Sequence, residues 1–314
     1  MKLSVNQQKS WVWQATELTA IPCPICNAEN YQGIYSRADS LDIVSCKSCS
    51  FRFVQPQPSQ RELNRFYQEG YFSGGHDFHQ GEDYFNSRKR AIAQEEVTGW
   101  HFLKSHADLS QKRLLDLGCA DGALLVLARQ YGASQVVGVE VSADAADYGR
   151  KHYGLEILEA SADSLPLAEQ SFDVVTAFDL IEHVRHPAQL FREIHRVLQV
   201  GGIFVGGCPD MGCFDDWGGE WSGVRRNMEH LSYFDDRTLS KLAEQAGFQV
   251  ILLEYRGFPL GLKQYKDFQA VKSYSLISKG IQPNIWIYNT WQKLKVKVKN
   301  SLHRHELLFV FQKV

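Results

Sequence analysis

The chain has 314 residues, 44% of them hydrophobic and 22% charged, enough for one full domain and a smaller module. Its net charge of −2 and pI near 6.6 lack the basic balance of a general nucleic-acid binder and count against an RNA or DNA role. Seven cysteines, an odd count with four in two C-x-x-C pairs, argue against a disulfide-stapled scaffold, and no uninterrupted apolar run approaches membrane-spanning length, so a cytosolic protein is expected.

Residues 20–55 carry the cysteine pairs, CPIC at Cys23 and Cys26 and CKSC at Cys46 and Cys49. That spacing matches a four-cysteine zinc ribbon with a closed, structural site; redox cysteines are the alternative. Between the pairs Arg37 is the only cation, opposed by Asp39 and Asp42, which offers phosphate little. Residues 56–110 read as linker and lid helices. Ser59 followed by Glu62 is a capping box before Leu63 and Phe66, glycines 74 and 75 break the chain, and 83–106 reads as one helix.

From 111 to 256 the pattern is strand and helix in alternation. RLLDLG, QVVGVEVS, EILEAS, FDVVTAFDLI, GIFVGGCP and QVILLEYRG read as strands, with helices at 143–153 and 187–199 and another in DRTLSKLAEQAGF. This predicts an α/β fold with a doubly wound, mostly parallel sheet covered on both faces. The ligand loop of such a sheet follows the first strand, here DLGCADG, Asp116 to Gly122. A dinucleotide fingerprint would need glycine at 118, 120 and 123, but positions 120 and 123 are alanine.

Read as acid-x-Gly-x-small-x-Gly, with Asp116, Gly118, Ala120 and Gly122, the loop resembles that of class I S-adenosylmethionine-dependent methyltransferases. The resemblance covers roughly 85–256 and implies a Rossmann-like seven-stranded sheet whose last strand inserts antiparallel between the fifth and sixth. It implies a cofactor site of Asp116, Gly118, Cys119, Ala120, Gly122, Glu140, Val141, Ala162, Asp163 and Asp179. In it Glu140 accepts the ribose hydroxyls, Asp163 faces the adenine amino group and Asp179 lies near the methionine end. Alanine at 120 costs little if its φ is negative.

Methyl transfer needs an aligned nucleophile and a place for a proton, and two stretches offer a base. One is DLIEH, with Glu182 and His183 directly after the fourth strand; the other is NMEHLSYF, with Glu229 and His230. The chain is similar to zinc-knuckle sugar C-methyltransferases, which carry a Glu-His pair at this second place, and the resemblance implies His230 as base with Glu229 beside it. Those enzymes have a tyrosine two residues before the glutamate, where this chain has Asn227. The ribbon then braces the segment with Tyr67, Tyr71 and Phe72 over the site, and Tyr71 is the expected substrate contact. Residues 209–227 read as a long loop whose Trp217 and Trp221 either face a sugar or pack as a lid.

Residues 257–304 hold eight lysines and Arg304 against the single acid Asp267, with Trp286 and Trp291 among them. They form a basic, aromatic insertion that either caps the core or meets anionic lipid or a pyrophosphate, so peripheral membrane association stays open. HELLFVFQKV, 305–314, is the final strand. The expected protein is a methyltransferase for a small, polyhydroxylated, nucleotide- or lipid-linked sugar, with S-adenosylmethionine and structural zinc as cofactors. An RNA methyltransferase and a non-catalytic scaffold are the alternatives, and the sequence leaves the oligomeric state open.

Overall fold

The computed structural model describes residues 12–67, 81–225, 227–259 and 302–314. In the N-terminal region β1 (Leu18–Thr19), β2 (Tyr31–Ser36), β3 (Asp42–Cys46), β4 (Arg52–Gln55) and β5 (Gln57–Pro58) precede α1 (Gln60–Phe66). Ser59 caps α1 by accepting from the Glu62 amide, but the Glu62 carboxylate turns to Gln14 and Arg65, so only half of the capping box forms. Two helices, α2 (Gly81–Gln94) and α3 (Trp100–His106), stand where one was expected over 83–106. The break has a local cause: Glu95 and Gly99 both take left-handed backbone, and a side chain at Gly99 would collide with the Phe178 ring.

The main sheet begins with β6 (Arg113–Leu117), where four of five residues are buried. It continues through α4 (Ala123–Gln130), β7 (Gln135–Glu140), α5 (Ala143–Tyr153), β8 (Glu156–Glu159), β9 (Phe172–Phe178), α6 (Pro187–Val197) and β10 (Leu198–Pro209). Ser142 caps α5 and a left-handed Gly154 ends it. Proline opens α6, which buries Leu190, Phe191, Ile194 and Val197 along one stripe. After β10 come α7 (Gly212–Trp217), α8 (Ser222–Arg225), β11 (Ser232–Tyr233), α9 (Asp236–Gln245), β12 (Phe248–Pro259) and β13 (Leu302–Lys313). Asp235 and Thr238 close a reciprocal box at the start of α9.

Seven strands lie in the order β12-β13-β10-β9-β6-β7-β8. β6 to β10 pair in parallel, and β13 runs antiparallel between β10 and β12, as the family resemblance implied for the last strand. Strand order reverses beside β6, which opens a crevice at the C-terminal strand ends. The basic segment departs and returns at paired ends, Pro259 opposite Leu302; its expected contacts fall in 260–301, outside the described residues, as does Tyr71.

A four-stranded sheet, β11-β4-β3-β2, joins the cysteine ribbon to the core, because Ser232 and Tyr233 pair with Phe53 and Arg52. Phe51, Phe53 and Cys46 share one apolar cluster with Phe234, Leu239 and Leu242. The 20–55 segment is therefore not a unit apart from 111–256: part of its sheet and of its core comes from the larger domain.

Candidate active site

The cofactor side is built by the loop after β6. Gly118, Ala120 and Gly122 all have left-handed backbone, with φ of 66°, 50° and 79°. Ala120 thus does not have the negative φ at which alanine would cost little. The turn aims the Ala120 amide at Glu140 Oε2, 2.9 Å away, while Glu140 Oε1 accepts from the Ser142 amide at 2.8 Å. Asp116 accepts from the Thr176 hydroxyl at 2.7 Å, and burial raises its pKa to about 7. The Ala160 amide bonds the Glu140 carbonyl, which brings the Ala162–Asp163 stretch to the edge that carries Glu140 and Val141. Asp163 accepts from Ser161 at 2.6 Å. Two contributors went unread in the sequence: Asp121, wholly buried, and Arg88 of α2, whose Nε lies 3.1 Å from it and which lines the cleft beside Asp116, Gly118 and Phe178. Asp121 sits inside the quoted loop motif and was open to notice; Arg88, one of several cations in SRKR, carried no signal.

The acceptor side gathers at the ends of β9 and β10. Asp179, again left-handed, donates its amide to the Gly207 carbonyl, and the surrounding protein raises its pKa to about 6 against the pull of Arg256. Glu182 is buried, and neither of its carboxylate oxygens has a hydrogen-bond partner among the described residues. His183 Nε2 lies 3.7 Å and His230 Nε2 4.0 Å from Glu182 Oε1, with the two imidazoles edge to face at 4.9 Å. The Tyr67 hydroxyl is 3.0 Å from His183 Nδ1. Among the described residues, Tyr67 is the ribbon-following tyrosine that the structure brings to a site histidine.

Electrostatics keep this group neutral. Burial lowers His183 to about 4 and pushes His230 well down, the latter helped by His183 and Arg37. Burial and the charges of Asp179 and Glu229 push Glu182 well up, so it holds its proton. Neutral imidazoles beside a desolvated carboxyl can take and return a proton. Glu229 Oε1 faces Asn227 Nδ2 at 3.4 Å, and among the described residues a carboxylate within 4.0 Å of the His230 imidazole is that of Glu182. Main-chain bonds explain this approach, since the Leu231 and Ser232 amides both donate to the Glu182 carbonyl and lay the 230 loop across it.

Residues 209–227 are largely helical rather than an open loop. Trp221 is buried against Tyr233, Asp215 pairs with Arg52 at 2.9 Å, and Trp217 alone of the two tryptophans is exposed. That fits the packed lid better than a paired aromatic sugar platform.

In the ribbon, Cys23 and Cys49 bring their sulfurs to 3.6 Å and Cys26 and Cys46 to 3.5 Å, and all four lie within 4.8 Å of one another. A tetrahedral zinc with Zn–S bonds of about 2.3 Å separates its sulfurs by about 3.8 Å. The four thiols could therefore hold a structural zinc, which here would fix two turns of backbone.

Residues 88–253, more than half of the chain, match the family described as a methyltransferase domain. The chain belongs to this methyltransferase family. Among curated proteins it is 32% identical over 109 residues to a ubiquinone biosynthesis O-methyltransferase of Neisseria meningitidis, which is 32% of this chain and 46% of that protein. It is 35% identical over 107 residues to the protein of that name from Nitrosococcus oceani, 32% and 45% of the two chains. The chain thus spans about half the length of the curated relatives it matches. A solved S-adenosylmethionine-dependent methyltransferase of Thermotoga maritima superposes with a TM-score of 0.51 at 19% identity, over 74% of this chain and 97% of that one, a likeness of fold. S-Adenosylmethionine is the cofactor the family implies. The tightly turned loop, the cleft between it and Arg88, and the buried acid ending β7 fit it.

Proposed function

We propose that the protein transfers the methyl group of S-adenosylmethionine to an oxygen or carbon of a small polyhydroxylated acceptor, a nucleotide- or lipid-linked sugar. The observation that carries this reading is the desolvated Glu182–His183–His230 group at the strand ends beyond the cofactor loop. Bound S-adenosylmethionine supplies an electrophilic methyl. In this reading His230 takes the acceptor's proton, Glu182, which holds its own proton, stands beside the two rings, and Tyr67 holds His183 in place through Nδ1. Asp116, Gly118, Cys119, Ala120, Gly122, Glu140, Val141, Ala162, Asp163 and Asp179 bind the cofactor. The acids around the acceptor position, Asp179, Asp210, Glu229 and Glu306, suit a ligand rich in hydroxyl donors.

A second reading, O-methylation of an acceptor of the kind met in ubiquinone biosynthesis, is favoured by the name of the curated relatives. The test incubates zinc-loaded protein and S-adenosylmethionine with a nucleotide-sugar pool and, separately, with a set of hydroxylated aromatics, and reads a mass gain of one methylene. Gain in the first pool alone supports the sugar acceptor. Gain only among the aromatics overturns it. Failure to bind S-adenosylhomocysteine in calorimetry removes the enzyme reading altogether.

A further inference from the structure

Arg37 sits just past β2 in a turn closed by hydrogen bonds between Arg37 and Leu41 and between Ser40 and Arg37. Its side chain is 1% exposed, that of Asp39 0%. A guanidinium has five N–H donors, and five acceptors surround this one. Nε donates to Asp39 Oδ1 at 3.1 Å, Nη1 to the His230 carbonyl at 2.6 Å and to the Tyr233 hydroxyl at 3.1 Å, and Nη2 to Asp39 Oδ2 and the Met228 carbonyl. Asp39 is held in turn by Trp13 Nε1 at 2.7 Å. A buried ion pair of this kind is weak as a source of stability, because desolvating both charges offsets most of their attraction. What it does well is fix geometry, and here the fixed atoms are carbonyls on both sides of Glu229.

We infer that Arg37 is a positioning residue for His230: the ribbon reaches through it into the acceptor site and sets where the imidazole stands relative to Glu182 and His183. The inference rests on the reading of His230 as the base. It assigns the cysteine ribbon a part in the chemistry, since Val54 of β4 also holds Leu231 by its amide, and ribbon and base loop therefore move as one piece. Lysine cannot replace the fork, because a point charge does not span two carbonyls, a hydroxyl and a carboxylate in one plane.

The experiment uses the full, zinc-loaded chain with 15N-labelled histidine and compares Arg37→Lys and Arg37→Met with the parent. Zinc content and S-adenosylhomocysteine affinity should stay within about twofold of the parent, since neither site touches Arg37. The His230 imidazole signals should shift in both variants. In Arg37→Met, with Glu182, His183, Tyr233 and the Gly223 carbonyl still facing the ring, the titration midpoint should rise. Methyl transfer should fall about 10- to 100-fold in kcat at unchanged KM for S-adenosylmethionine. Should Arg37→Met not fold, Arg37→Lys and Tyr233→Phe carry the same imidazole readout. Unmoved His230 signals in a folded, zinc-loaded Arg37 variant overturn the inference. His230→Asn with full turnover would instead overturn the base assignment, and the Arg37-dependent shift would stand.

Discussion

The two halves of the proposed site are made in opposite ways. The cofactor half is local: Asp116 to Gly122 is one turn, Glu140 follows on the neighbouring strand, and every contact between them is short in space and direct. The acceptor half is assembled from afar, with Tyr67 from α1, Glu182 and His183 from the end of β9, His230 from the loop before β11 and Arg37 from the ribbon. A local half depends on backbone shape and a composite half on tertiary packing, so the two should fail under different insults.

The largest effect expected is on the composite half when zinc goes. Structural zinc in small ribbons is worth about 10 kcal/mol or more of apparent binding energy. Cys46→Ser or chelation should unfold the ribbon, expose the face of Phe51 and Phe53, and abolish methyl transfer; zinc analysis with circular dichroism checks it. Metal loss that left fold and turnover unchanged would erase the contrast. Next, His230→Asn should lower turnover by about 10²- to 10⁴-fold while calorimetry with S-adenosylhomocysteine stays at the parent value. A loss of cofactor binding instead would mean the halves are not separable.

The acceptor half should also write the pH dependence of stability. Unfolded His183 takes a proton near 6.5, whereas the folded site holds it off to about 4. Its contribution is therefore whole above pH 6.5 and is lost as pH falls toward 4, about 3 kcal/mol at the acid end. Asp116 and Glu306, both raised to about 7, act with the opposite sign: their contribution is present below the ordinary carboxylate range and lost as pH rises through 7. Denaturation of His183→Gln against the parent at several pH values isolates the first term, and an identical acid slope in the two would refute it.

On the cofactor side, Glu140→Ala removes the acceptor of two backbone amides and should weaken S-adenosylhomocysteine about 10- to 100-fold with zinc content untouched. Smallest of all, Ala120→Gly relieves left-handed strain and should raise stability by about 1 kcal/mol or less, seen as a few degrees in Tm. A drop would show that the methyl group packs to advantage.

The same contrast explains what could be read from the chain alone. Strand and helix alternation and the ligand loop were legible because each is written in consecutive residues, whereas the insertion of the last strand came only from the family resemblance. The sign of φ at Ala120 was not, since the turn is imposed by the partner Glu140. Nor was the approach of Glu182 to His230, which two amide bonds to the Glu182 carbonyl bring about. Arg37 looked like a lone cation among acids, because nothing near it in sequence announces carbonyls about 190 residues away.

The pairing of β4 with β11 reaches from Phe53 to Ser232. During synthesis the N-terminal sheet therefore waits, one edge unpaired, until nearly the whole parallel core has left the ribosome. Such an open edge is a site of wrong association. Chains halted before Ser232 should be aggregation-prone even with their cysteines intact, and grafting the first sixty residues onto another protein should not yield a soluble ribbon.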